Sequence, residues 1–125
     1  MDRATMYEDE IKEGERRFLA IYLEAKNACM VLLSEGEDNL GTLAVAIPSQ
    51  SQITAPFLSS ILMGDRNTTT ARILAERLAS KINKIGLVSI YLKTVSEAEA
   101  SPILMRLFEK VTQPKPSMQG ESVQI

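Results

Sequence analysis

The sequence predicts an α+β domain: an antiparallel sheet of five strands, two helices on one face, and a second subunit on the other. Three observations carry that expectation. Five short apolar segments are bounded by turn residues, as strands are. Two further segments repeat apolar residues at helical spacing. Several strands are apolar at both parities, so both faces of the sheet need cover, and two helices cover only one.

Residues 1–15 hold Glu8, Asp9, Glu10, Glu13 and Glu15 against Lys12. Such a charge run reads as a solvated, mobile segment. The strands are expected at 16–26, 29–34, 40–47, 56–63 and 87–93. Asn27 between the first two suits a tight hairpin, and Gly36 in the polar loop 35–39 supplies a positive φ. These connections are too short for a parallel crossover, so the first three strands are expected as an antiparallel meander. Pro56 opens its strand, where a missing N–H matters least.

The first helix is expected over 69–85, on the stripe Ala71, Leu74, Ala75, Leu78, Ile82 and Ile85. Asp65, Asn67 and Thr68 are its candidate caps, and Gly86 is its expected stop. The second is expected over 102–112, with Ser101 as cap and Pro102 at the first helical position. Ser96 and Glu99 also spell a capping box. That start would put Pro102 inside the helix, so the later start is preferred. Residues 113–125, with Pro114 and Pro116, read as a flexible tail. The single domain is therefore 16–112.

In Phe18-Leu19-Ala20-Ile21-Tyr22-Leu23, and again in Leu43-Ala44-Val45-Ala46-Ile47, both parities are apolar. Five strands at about 4.8 Å make a sheet about 24 Å wide, which two helices roughly 10–12 Å across just span. The simplest cover for the other face is a second subunit, sheet against sheet. The residues expected at that face are Phe18, Ala20, Tyr22, Ser89 and Tyr91, because a mixed, Tyr-containing set suits an interface core. The pattern alone does not say which parity meets the helices.

Composition excludes several classes. With Lys+Arg 14 and Asp+Glu 16 the net charge is −2, which suits neither DNA nor RNA binding. Histidine is absent, which removes His-based catalysis and His metal sites. One cysteine, Cys29, allows no internal disulfide and no multi-Cys metal site, and it reads as a small buried hydrophobe. No cofactor is expected. The N-terminus lacks a signal-peptide pattern, and the longest apolar runs fall far short of the roughly 20 residues that span a membrane. A cytoplasmic protein without membrane contact is expected.

Hydroxyls at Ser59, Ser60 and Thr68–Thr70 have no neighbouring base in sequence, so packing and capping are the plainer readings. Gly64-Asp65-Arg66-Asn67-Thr68-Thr69-Thr70 opens a helix after a strand but lacks the Lys of a phosphate loop. Arg72, Arg77, Lys81 and Lys84 against Glu76 form a basic face on an acidic protein. That is either a solvated face with Arg72–Glu76 support or a docking surface for an acidic partner.

The ordered set Leu43-Ala44-Val45-Ala46-Ile47, Leu62-Met63-Gly64-Asp65, Thr69-Thr70, Leu74-Ala75-Glu76-Arg77-Leu78-Ala79-Ser80-Lys81 and Val88-Ser89 resembles the proteasome assembly chaperone four family. The resemblance covers roughly 16–112 and is most specific over 62–92. Its motif positions here are Gly64, Asp65, Thr69, Thr70, Leu74, Ala75, Arg77, Leu78 and Lys81. It implies a six-stranded antiparallel sheet, the sixth strand coming from a split segment. It also implies sheet-to-sheet pairing with a chaperone-three-like partner or a second copy. The implied role is non-enzymatic: binding proteasome α-subunits while the α-ring of the core particle forms. The terminal Val123-Gln124-Ile125 lacks the Tyr of ring-docking tails, so tail docking is not expected. The rival reading is a small dimeric roadblock- or longin-like scaffold in a GTPase or trafficking complex.

Overall fold

The computed structural model of the protein describes residues 3–48 and 58–113. The elements run β1 (Thr5–Glu13), β2 (Arg16–Glu24), β3 (Ala28–Glu35), β4 (Thr42–Ile47), β5 (Leu58–Met63), α1 (Thr68–Ile82), β6 (Ile85–Tyr91) and α2 (Glu97–Thr112). The six strands form one sheet in the order β1-β2-β3-β6-β4-β5. The expected tail lies outside the described residues beyond Gln113, as does the expected start of the fourth strand at Pro56.

Several expectations are corrected. The sheet is mixed, not antiparallel throughout, because β6 runs parallel to β3. The hairpin of β2 and β3 forms as expected. The meander does not continue, because β6 sits between β3 and β4 and pairs with both. Crossing the end of β6 takes the chain over about two strand spacings, roughly 10 Å, well within the reach of 36–41. Gly41 marks that crossing. Its N–H donates to the Ser89 hydroxyl at 2.8 Å. A Cβ there would collide with the Ile90 carbonyl and lie 2.8 Å from the Tyr91 Cα.

The sixth strand comes from the acidic segment expected to be mobile, not from a split segment. β1 pairs antiparallel with β2 along its whole length. Tyr7, Asp9, Ile11 and Glu13 share the parity that meets Tyr22, Ala20, Phe18 and Arg16. Tyr7 stacks on Tyr22 with ring centroids 5.9 Å apart, and Ile11 packs on the core. The charges of β1 are matched from above by α2. Arg106 meets Glu13 at 2.7 Å, and Lys110 meets Asp9 at 3.3 Å.

The helices also start and stop differently from expectation. α2 begins at the capping box: the Ser96 hydroxyl accepts from the Glu99 N–H at 3.2 Å, and Pro102 lies inside the helix. Pro102 is exposed, so the carbonyl it leaves without a helical donor can face water. The box is reinforced by Glu97, whose carboxylate accepts from the Thr70 N–H at 2.9 Å and the Thr70 hydroxyl at 2.7 Å. Glu97 thus caps α1 from the neighbouring helix, while the Asn67 side chain makes no cap bond. α1 ends at Ile82, where Asn83 takes the left-handed turn; Gly86 and Ile85 belong to β6.

Both helices lie on one face of the sheet, α1 over β4, β5 and β6 and α2 over β1 and β2. The core between them includes Phe18, Val31, Leu33, Leu74, Leu78, Val88, Leu104 and Phe108, all with no exposed surface. Each such side chain contributes about 1.5–3 kcal/mol on burial.

One buried carboxylate ties the end of β3 to the turn before α2. Glu35 Oε1 accepts from the backbone N–H of Lys93 at 2.7 Å, of Thr94 at 2.9 Å and of Val95 at 3.2 Å. The Thr94 hydroxyl donates to Oε2. Burial alone would raise this carboxyl, but the bonds from Thr94, Lys93 and Val95 outweigh it and hold it at about 2.

Two predictions follow from this packing. The Glu35 pKa is depressed on folding, so its stabilisation is full above the ordinary carboxyl range and is lost as pH falls from about 4.5 towards 2. Glu35→Gln is expected to cost about 2–3 kcal/mol at neutral pH and to flatten that acid limb, as read by urea unfolding across pH. An acid limb unchanged by the substitution would remove Glu35 as its cause. Gly41→Ala is expected to cost about 1–3 kcal/mol, since the β6 crossing must shift; an unchanged urea midpoint would show that the crossing has slack.

Candidate functional site

Strand parity decides what each face offers. Phe18, Ala20 and Tyr22 are all but fully buried, at 0%, 1% and 6% exposure, and they point to the helices. The expectation that they meet a second subunit is corrected: α2 already covers them. Ser89 and Tyr91 fall on the opposite face, in register with Leu32 and Ser34. The expected set of five therefore splits between the two faces. Ser89 is buried and its hydroxyl is engaged by the Gly41 N–H, so Tyr91, half-buried, is the member of the set with surface to offer.

The rows of the open face follow from the register. Ile21, Leu32, Ser89 and Leu43 form one row across β2, β3, β6 and β4. Leu23, Met30, Leu87 and Val45 form the next. Leu19, Ser34 and Tyr91 flank them on one side, and Ile47 with Leu58 on the other. Among the described residues no element lies over these rows, and Leu23, Ile47 and Leu58 are 39%, 51% and 73% exposed. Charge is confined to the β1 margin, where a shallow hollow is lined by Glu8, Glu10, Arg17 and Asp38 beside Leu19 and Ile21. Arg17 is matched there by Glu10 at 3.1 Å. An uncovered apolar face with a charged margin has the anatomy of a protein–protein interface. The sequence had announced it through the double-parity strands but not which parity it was.

The basic face of α1 turns out to be mostly neutralised. Arg77 and Lys81 both bind Glu109 of α2, at 2.8 and 3.0 Å, and Lys84 meets Glu24 at 3.7 Å. Burial would raise Glu109, but its bonds to Lys81 and Arg77 outweigh it and hold its carboxyl below the usual range. Arg72 and Glu76 do not pair with each other. They meet at Ser59, whose hydroxyl donates to the Glu76 carboxylate and accepts from Arg72 Nε at 3.1 Å.

Much of the resemblance motif is structural in this chain. Leu74, Ala75 and Leu78 are buried against the sheet, and Thr70 takes the Glu97 cap. Gly64 turns the chain into α1 at φ +94°, while Asp65 and Thr69 are exposed. Cys29 is buried under Tyr22, whose hydroxyl donates to its Sγ at 3.5 Å, and burial pushes the thiol pKa up. Among the described residues no group of three His, Cys, Asp or Glu side chains is placed to hold a metal ion, and no helix is long and apolar enough to cross a membrane.

Comparison with known proteins matches this architecture. No curated protein matches the chain. The fold is similar to a chain from the crystal structure of a novel chaperone complex for yeast 20S proteasome assembly. The TM-score is 0.64 at 14% identity, over 86% of this chain and 91% of that one. The family model described as proteasome assembly chaperone 4 matches residues 17–92, which run from the start of β2 to just past β6. That span is well over half of the sequence and holds the open face almost entire, and so the chain belongs to the proteasome assembly chaperone 4 family.

Proposed function

We propose that the protein is a non-enzymatic chaperone for assembly of the proteasome core particle. It acts in the cytoplasm, pairs through its open sheet face with a chaperone-three-like subunit or a second copy, and holds α-subunits while the α-ring forms. The observation that carries this reading is the uncovered apolar face, in a member of an assembly-chaperone family. Six strands spaced about 4.8 Å apart, each with about six residues in register, give a face of roughly 29 by 20 Å. That is on the scale of the roughly 800 Å² per partner that a standard interface buries. Similarity to a chain of a chaperone complex for yeast 20S proteasome assembly supports a partner of like fold. The role is templating: surface offered to a subunit before its neighbour arrives, then exchanged for the subunit's own contacts.

The test is gentle affinity capture of the tagged full chain from native extract. Proteasome α-subunits without mature β-subunits, together with a small partner, are the expected yield. A GTPase complex in their place would overturn the reading. Leu32→Asp, on the open face, is expected to release the partner while leaving the circular dichroism spectrum unchanged. Tyr22→Asp, under α2, is expected to unfold the protein instead, since it puts a charge in the core. Retention of the partner by Leu32→Asp would reject the open face as the pairing surface.

A further inference from the structure

The two edges of the sheet are built differently. The β1 edge carries Glu8, Asp9, Glu10, Lys12 and Glu13, charges of the kind that guard a free edge against pairing. The β5 edge reads Leu-Ser-Ser-Ile-Leu-Met, with no charge and no proline. Leu58, Leu62 and Met63 are 73%, 55% and 45% exposed on it. Among the described residues no strand pairs with its outer side. An edge of this kind offers a row of backbone donors and acceptors that only another extended chain can satisfy.

Beside that edge, on the helix side of the sheet, lies a groove of ≈ 520 Å³ between β5 and α1. Ile61 and Ile73 give it an apolar stretch. Ile73 is 49% exposed on α1, the helix that packs along β5. Arg72 lines the same groove, together with Asp65 and Glu76. Of the four basic residues expected to make a docking face, it alone has no carboxylate in ion-pair reach among the described residues. Its Nε donates to the Ser59 hydroxyl, which in turn donates to the Glu76 carboxylate.

We infer that β5 is an acceptor strand: an extended segment of a partner protein adds to it as a seventh strand. That segment places one apolar side chain against Ile61 and Ile73 and a carboxylate, two residues away, on Arg72. The two-residue spacing follows from the strand repeat, since Ile61 and Ser59 point to the same side of β5. A helix cannot use the backbone row. The groove is on the opposite side of the sheet from the open face, and strand addition does not require that face to be occupied, so the peptide test can fail or succeed apart from the proposed function.

The probe is the peptide acetyl-Thr-Val-Thr-Glu-Thr-Val-amide, titrated into the ¹⁵N-labelled full chain and followed by amide chemical shifts. Shifts confined to 58–63 and to the first turns of α1 are expected. Replacing the peptide's Glu by Gln should weaken binding about threefold, the scale of one exposed ion pair, and Arg72→Gln in the protein should remove that difference. Ile73→Lys, an exposed change that spares the core, should weaken binding about fivefold or more. A peptide N-methylated on alternate amides should not bind. Shifts centred on Leu32 and Leu87, equal binding of the N-methylated peptide, or no shifts up to millimolar peptide would each overturn the proposal.

Discussion

A strand shows alternate side chains to opposite faces, and two helices on one side of a six-stranded sheet leave the other side uncovered. Much of this molecule follows from that constraint. The face under the helices is graded by size to let them approach. Ala44 and Ala46 of β4 lie beneath Ala71, Ala75 and Ala79 of α1, all without exposed surface. Phe18, Leu104 and Phe108, all fully buried, fill the layer under α2. The opposite parity keeps its Leu, Ile, Val and Met side chains and has no layer over it among the described residues. A lone domain gains nothing from that choice, since apolar area left in water contributes no burial energy. It makes physical sense in a chain that completes its second layer with another protein.

Much of this was legible in sequence, and the misses have specific causes. The double-parity strands announced apolar side chains on both faces, and the stripes of Leu74 and Leu78 and of Leu104 and Phe108 announced the two helices, enough for one of them. The parity itself was not legible, because Phe18-Ala20-Tyr22 and Leu19-Ile21-Leu23 are equally apolar. What decides it is the partner strand: Ile11 and Tyr7 of β1 point to the Phe18 side, and Glu8 and Glu10 to the other. That clue was lost because β1 was read as a charge run. Its Tyr-x-Asp-x-Ile alternation is sparse, and two of its acids, Asp9 and Glu13, find their cations about a hundred residues away on α2. The insertion of β6 between β3 and β4 left a trace in Gly41, whose backbone must pass hard against Ile90. A short polar loop read alone suggests a hairpin. Pro102 was weighed as a helix start, yet the Ser96 cap and the Glu97 bridge to Thr70 together outweigh one missing backbone bond.

Charge shows the same dependence on tertiary neighbours. Four cations along one stretch left two readings open, a solvated face or a surface for an acidic partner. In the fold, Glu109 takes two of them and Glu24 a third, so they bind the layers together and offer little field to a distant partner. Arg106 and Lys110 do the same between α2 and β1. Two cations of α2 and two acids of the N-terminal strand are the halves of one arrangement. Each exposed pair is worth little by itself. Together with Tyr7 and Ile11 they hold down the one strand whose sequence is otherwise too polar for a sheet.

The open face and the β5 edge meet along Leu58, Ser60 and Met63, which belong to the sheet's outer row on the open side. A strand added to β5 would present alternate residues to the same side and widen the open face by one row. A partner seated on that face would in turn hold β5 flat and in register for the incoming strand. The two events would therefore favour each other, and by linkage equally in both directions. The apolar, uncharged character of β5 fits that shared position: a guarding charge on Leu58 or Met63 would protect the edge and break the apolar rim of the open face at once. An edge that serves one surface only can be blunted at no loss to the other, as β1 is, where the acids lie along a margin and leave the Leu32 and Leu87 rows untouched.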